Sequence, residues 1–285
     1  MKIKNAIARK LLSDEQLPGD LKAGLILAIL ISVLILAGLL LPLFNPEIDH
    51  NRMNSQERFI APGLSHFMGT DNFGRDIFFR IMIGGRHTLL IAIITVAGSA
   101  ALGSVLGMLA GFIGGLWDEI TMRIMDALSS FPGILLALIT VSLLDSNALV
   151  IALLILFVPS FTRVMRSGTL QYRSRDFILA ARIMGTRRLR MLFVHILPNL
   201  FPPLLSAMVL GLSNAILAES TMSYLGLGIQ PPEPSWGRML SESQGFLFNA
   251  PWCAIAPGLM IMLSVLAFHY LGEGLRRRNA DIGNL

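Results

Sequence analysis

Two acidic side chains, Asp126 and Glu219, stand where the neighbouring sequence is apolar enough to cross a bilayer. An ionisable group at the centre of a membrane helix costs at least about 2.5 kcal/mol, so it marks a polar path, a partner or a helix end. Asp126, near one end of its apolar run, is a candidate path-lining group or a cap that snorkels to the interface. Glu219 is a candidate path-lining acid or an interfacial anchor. Neither belongs to a catalytic constellation. His50, His66, His87, His195 and His269 show no HExxH spacing, which disfavours a zinc peptidase. Ser206 or Ser213 with His269 would serve an intramembrane peptidase, a competing class, but no GxSxG supports it. The single cysteine, Cys253, rules out an internal disulfide and a cysteine-cluster metal site. No GxxxxGK[ST] loop is present to cradle phosphates. The chain is expected to be no enzyme, to hold no metal and to bind no cofactor itself.

The densest charge lies in 163–198, with eight arginines (163, 166, 173, 175, 182, 187, 188, 190) against one acid, Asp176. Short basic loops resist translocation, so this stretch is expected on the cytoplasmic side. Phe177, Ala180, Ala181, Met184, Leu189, Leu192 and Phe193 recur at helical spacing and are expected to share one face. Gly185 interrupts that helix, and Pro198 closes it off from the next apolar run. A short helix outside the bilayer, tied to two spans, can transmit force from a soluble partner. The plainer alternative is a basic amphipathic helix lying on anionic lipid.

Six apolar runs must position these residues. Charged residues make up 14% of the 285 and hydrophobic ones 54%, whereas a soluble domain carries roughly 25% charge. The chain is expected to be an all-α, polytopic membrane protein with six transmembrane helices. Its net charge of +5 then reflects positive-inside loops and not nucleic-acid binding. The first run, 23–41, is long enough to cross at about 1.5 Å per residue. It is too long, and wrongly flanked at 42–46, for a cleaved signal peptide. In the second run, 89–116, Ser99, Gly103, Gly107, Gly111 and Gly115 recur every four residues. Such a stripe lets another helix approach closely in lipid, or it lines a path. The third run, 124–144, is interrupted by Pro132-Gly133, and Asp145-Ser146-Asn147 is expected to turn outside. The fourth is 148–158, extended by Pro159 and Phe161. The fifth is 200–217 and the sixth 254–271.

Between these runs lie two further polar blocks. In 45–87, Gly69, Asp71 and Gly74 are turn formers, and Asp76 is expected to pair with Arg75 or Arg80. After the fifth run, glycines and prolines exclude a regular helix beyond about Tyr224. Trp236 and Trp252 are expected in the outer interface belt.

Three blocks carry a family resemblance. Ala180-Ala181, three residues, Gly185, then Leu197-Pro198 resembles the cytoplasmic loop of binding-protein-dependent ABC importer permeases, with Leu179 where Glu is frequent and His195 where Ile is frequent. GTDNFGRD, ending at Asp76, resembles the signature ahead of the second span in the dipeptide, oligopeptide and nickel branch. The stretch 219–237 resembles that branch's E-x3-SFLGLGIQPP-x-PSWG block, with Tyr224 for the usual Phe. The resemblance implies a type I ABC importer permease. Residues 1–87 would be the amino-terminal tail, first span and outer segment, 88–275 a five-helix core with the coupling loop 163–198, and 276–285 a cytoplasmic tail. It implies an ATPase-coupling site at Asp176, Ala180, Ala181, Gly185, Leu197 and Pro198. The block Gly69, Thr70, Asp71, Gly74, Arg75 and Asp76 would be either a folded interfacial loop or a contact for a delivery protein. The implied partners are a second homologous permease, two cytoplasmic ATP-binding subunits that carry ATP and Mg, an extracytoplasmic substrate-binding protein and the lipid bilayer. The implied location is the bacterial cytoplasmic (inner) membrane. Di- or oligopeptides are the implied cargo, with nickel or a metal chelate as the alternative; the spans offer no clustered ligands for bare nickel. A stand-alone secondary transporter would often show an inverted repeat, and none is evident.

Topology follows from parity, since both termini and the arginine-rich stretch all belong inside. In a background lacking Cys253, an impermeant thiol reagent on intact cells should label Ser55→Cys and spare Ser174→Cys. The reverse pattern would sink this topology.

Overall fold

The computed structural model describes residues 19–44, 51–144 and 148–283. The basic residues Lys2, Lys4, Arg9 and Lys10, the stretch 45–50 and the expected turn at Asp145-Ser146-Asn147 lie outside the described residues. Helices α1 (Gly19–Phe44), α2 (Ile77–Ile113), α5 (Leu149–Arg173), α7 (Leu197–Tyr224) and α9 (Trp252–Gly283) are each apolar and long enough to cross a membrane. Two further helices, α3 (Gly115–Ser130) and α4 (Gly133–Leu144), meet at 93° and make either one broken sixth span or a re-entrant loop. Phe131 is extended (φ −82°, ψ 137°), the conformation that a following proline imposes.

Several helices outrun the apolar runs. The 37 residues of α2 span about 55 Å, well beyond a hydrocarbon core of about 30 Å, so its first turns stand outside the bilayer. Helix α5 passes through Pro159 and continues to Arg173, so 163–173 is helix and not loop. There Arg166 donates to Asp118 of α3 at 2.6 Å, and Arg163 to Asp126 of α3 at 2.9 Å. Paired arginines can thus prolong a span beyond its apolar part. After a short helical turn at Arg188–Arg190, a wide π turn at Met191–Ile196 leads into α7. It occurs where Pro198 withholds a backbone donor from the ladder. Helix α7 stops at Tyr224, as the glycines and prolines beyond it require.

The small-residue stripe of α2 is a packing seam. Ser99 Oγ donates to the Leu154 carbonyl of α5 at 3.0 Å. A Cβ on Gly103 would lie 2.6 Å from Phe161 Cβ, one on Gly107 would collide with the Thr162 carbonyl, and one on Gly111 would lie 2.8 Å from the Arg166 carbonyl. Gly115 leaves the stripe; it opens α3 at φ +61° with open space around it. At the other side of the molecule, Gly24 lets α1 rest on the α9 backbone at Leu271, and Gly274 returns the contact at Leu21. Buried side chains of α2, α5, the π turn and α7 form one core, including Val96, Phe161, Met165 and Ile216. A second core at the α1–α9 side holds Ile31, Ile77, Ile81, Trp236 and Met260.

Lipid offers no hydrophobic drive for helix association, so this fit must carry much of it. Gly107→Val should cost about 1–3 kcal/mol by overpacking and lower the melting temperature in detergent. Gly245→Ala, where a Cβ meets nothing within 4 Å, should change stability by less than about 0.5 kcal/mol. Equal melting of the two variants would refute the seam.

Candidate functional site

Two candidate constructions lie at opposite ends of the spans. At the end expected to face the cytoplasm, helix α6 (Asp176–Ile183) crosses between α5 and the turn that precedes α7. Asp176 lies in its first turn, where a negative charge opposes the helix dipole. Ile178, wholly buried, and Ala181 reach into the core beside Phe112 of α2, Met165 of α5, and Met191, Leu192 and Ile196 of the π turn. Leu197 packs on the same core, while Pro198 is exposed at the start of α7. The face drawn from sequence spacing is therefore corrected. Of its members only Ala181 and Leu192 are buried; Phe177, Ala180, Met184, Leu189 and Phe193 are exposed. With Leu179 and Ile183, which is 87% exposed, Phe177, Ala180 and Met184 give α6 an apolar outer surface that no other part of the described chain covers.

Gly185 closes α6. At φ +73° its amide donates to the Arg182 carbonyl, and the Thr186 amide reaches back to the Ala181 carbonyl, both at 3.0 Å. This pair of bonds is the left-handed helix end that glycine favours. A Cβ at Gly185 would meet nothing within 4 Å, so backbone conformation and not close approach selects the residue.

At the opposite end, the block from Gly69 to Asp76 folds upon itself. Asp71 Oδ1 accepts the amides of Phe73 (2.8 Å) and Arg75 (3.0 Å), and its Oδ2 accepts Arg75 Nε (2.7 Å). Gly69 and Gly74 both adopt φ +75° to make the turns. Thr70 Oγ1 accepts the Ile60 amide at 2.8 Å, and the Thr70 carbonyl accepts Trp252 Nε1 at 3.2 Å. Asp76 caps α2 through the Phe78 amide and meets His66 Nδ1, each at 2.8 Å; the expected pairing with Arg75 or Arg80 falls to Asp71 instead. The guanidinium groups of Arg75 and Arg80 are almost fully buried, facing Glu242 Oε2 at 3.5 and 3.7 Å, and Arg80 also donates to Asn51 Oδ1 at 2.8 Å. Glu242 lies on α8 (Trp236–Ser243), so sequence distance hid this partner.

Trp236 departs from its expected place in the interface belt. It is 0% exposed, its ring stacked on Gly85 of α2 and its Nε1 donating to the Ile81 carbonyl at 2.8 Å. Trp252 is half-buried over Gly69. Glu219 is also 0% exposed, taking a hydrogen bond from Ser223 Oγ at 2.6 Å. It is no interfacial anchor, and it borders no open surface of this conformation. Asp126 lies within α3, exposed and paired with Arg163, and caps neither end of that helix.

A family described as binding-protein-dependent transport system inner membrane component matches residues 103–280. A dipeptide transport system permease protein of Alkalihalophilus pseudofirmus is 41% identical over 258 residues, 90% of this chain and 84% of that protein. Its counterpart in Haemophilus influenzae is 36% identical over 264 residues, 90% and 89% of the two chains. A glutathione transport system permease protein of Pectobacterium atrosepticum is 40% identical over 258 residues, 89% and 84%.

The buried outer network makes a clear energetic contrast with surface ion pairs. Asp71→Asn leaves two buried guanidinium groups short of one charge and should destabilise by about 3 kcal/mol. Glu119→Gln, which breaks an exposed pair with Arg123, should cost no more than about 0.5 kcal/mol. Thermal unfolding of the two variants in the same detergent decides; equal melting points would refute the network.

Proposed function

Since the chain belongs to the family of binding-protein-dependent transport system inner membrane components, we propose that its spans pass di- or oligopeptides, driven by ATP hydrolysed on separate subunits. The chain itself is a multi-pass permease of the inner membrane and not an enzyme. Relatives named for dipeptide and glutathione transport favour a peptide over nickel or a chelate, and a permease over a peptidase. ATP and Mg belong to the partner subunits in this reading.

One observation carries the coupling proposal: α6 is apolar on both sides, anchored by Ile178 and Ala181 on one and uncovered on the other. A cytoplasmic ATP-binding subunit would seat Phe177, Leu179, Ala180, Ile183 and Met184 in an apolar cleft. Exposed Arg175, Arg182, Arg187, Arg188 and Arg190 would meet acidic groups at its rim. Because Ile178 shares a core with α2, α5 and the turn into α7, a push on α6 moves three spans together. Well-packed cores transmit such displacement instead of absorbing it. Two such permeases, each with its own ATP-binding subunit, would open the path alternately to either side. An extracytoplasmic binding protein would deliver the peptide to the outer face. Folded on Asp71, the block from Gly69 to Asp76 would hold that face in shape, with Phe73 partly exposed beside the Arg75 guanidinium.

Proteoliposomes holding the assembled importer and its binding protein should accumulate a labelled dipeptide with ATP and ignore radioactive nickel. Gly185→Leu forces a side chain into the left-handed region at a cost of about 1–2 kcal/mol, so it should unseat the end of α6. Uptake should collapse while the variant remains inserted and ATP is still hydrolysed. Arg187→Ala should do far less, because a solvated charge contributes about 0–1 kcal/mol. Full uptake by an inserted Gly185→Leu importer would remove the coupling role, and nickel uptake without peptide uptake would replace the cargo.

A further inference from the structure

A cavity of about 410 Å³ opens at the α6 end of the bundle, within the usual size of ligand pockets, roughly 300–1,000 Å³. Its apolar lining is Phe112 and Ile113 at the end of α2 and Met191 of the π turn. The rest is cationic or polar: Arg173 at the end of α5, Arg182 of α6, Thr186 and Arg188. Among the described residues no acid lines it. Arg182 follows Ile178 by four residues, so it stands on the anchored side of α6 and not on the uncovered apolar one. Arg175, Arg187 and Arg190 lie outside the cavity and stay available to a partner.

These cations lack a counter-charge. Arg173 Nη1 donates to the Gly111 and Phe112 carbonyls, each at 3.3 Å. Both oxygens belong to the last turn of α2, whose partial negative charge would otherwise repel an anion. The two bonds leave Nε and Nη2 of Arg173 as further donors. Asp118, whose charge reaches Arg173, is itself held by Arg166 at 2.6 Å. Among the described residues neither Arg182 nor Arg188 has a hydrogen-bond or ion-pair partner. Half-buried Thr186 adds a hydroxyl that can donate. Three like charges around one cavity repel one another, and a bound anion cancels that repulsion.

We propose that this cavity, at Arg173, Arg182 and Arg188, binds a phosphate anion, carried by an anionic phospholipid headgroup or free in solution. A guanidinium is planar, always charged, and presents its donors in a fork that matches phosphate oxygens. A metal ion or an ammonium finds no negative charge here. The edge of the cavity suits a lipid. Ile113 lines it and is 52% exposed, and Leu116 and Trp117, next along the chain, are exposed as well. Tryptophan beside exposed aliphatic side chains marks the membrane interface. Basic pockets between helices at that level hold anionic headgroups. A phosphate held there ties together the end of α5, α6 and the turn before α7. The site rests on the chain's place in a membrane and not on the cargo or the coupling reading.

The test uses the assembled importer in nanodiscs, carrying Thr186→Cys and no other reactive thiol. N-ethylmaleimide, an uncharged reagent, should label that cysteine more slowly as phosphatidylglycerol replaces phosphatidylcholine, whose choline cation opposes arginine. Arg182→Gln with Arg188→Gln should raise the phosphatidylglycerol needed for half protection about tenfold, the order of ratio for a lost hydrogen bond to a charged group. Arg187→Gln with Arg190→Gln removes the same charge outside the cavity and should change it far less. Ile113→Cys at the cavity edge gives the same pattern should the first variant assemble poorly. Sodium phosphate added to phosphatidylcholine nanodiscs, at matched ionic strength, separates the sources. Protection there assigns free phosphate, and protection by phosphatidylglycerol alone assigns the headgroup. Protection by neither, or equal losses in the two double variants, overturns the site. So does a cysteine already closed in phosphatidylcholine without phosphate, which hands the cavity to the ATP-binding subunit.

Discussion

The seam between α2 and α5 is the contact on which the remaining structure depends. Helices in lipid gain nothing from hiding apolar surface, so they must fit closely to stay together. Gly103, Gly107 and Gly111 bring the backbones near enough for Ser99 to bond across the gap. This contact also sets both ends of the molecule. It carries the end of α5 to Arg173, where α6 begins, and it holds the start of α5 beside His87 and Ile91 of α2.

Charge is distributed in two distinct ways around that seam. At one end, Asp71, Arg75, Arg80 and Glu242 form a cluster of opposed charges, most of it buried. Such a cluster is weak evidence of net stability, since desolvation offsets attraction, but it punishes any wrong arrangement of the outer segment against α8. At the other end, the arginines of 163–190 are mostly exposed, with Arg163 and Arg166 tied to α3. Exposed cations of this kind resist translocation and suit a partner of opposite charge.

The motif glycines share a backbone role. Gly74, Gly185 and Gly226 all adopt positive φ, and each turns the chain where a helix begins or ends. Gly185 and Gly226 each end a helix with the same pair of reverse bonds, at opposite ends of the bundle. The blocks that marked the family are thus places where the backbone does something most side chains forbid. That is why residue type and spacing were informative there without any tertiary knowledge.

The sequence by itself determined the all-helical membrane class and the family, because hydropathy and glycine spacing are local properties that lipid and backbone read directly. It also set the end of α7 at Tyr224, whereas the choice of packing over path lining for the α2 stripe came from α5 lying against it. It did not determine which side of α6 is buried. Both faces of that helix are apolar, and only the core beneath it selects Ile178 and Ala181 over Phe177 and Met184. Trp236 looked like a belt residue, because its acceptor, the Ile81 carbonyl, lies 155 residues away. Likewise the extent of α5 depended on Asp118 and Asp126 arriving from another helix, and the place of His87 on the Pro234 carbonyl of a loop from beyond α7. Those outcomes belong to tertiary structure, because each is a choice between locally equivalent options made by an atom distant in the chain.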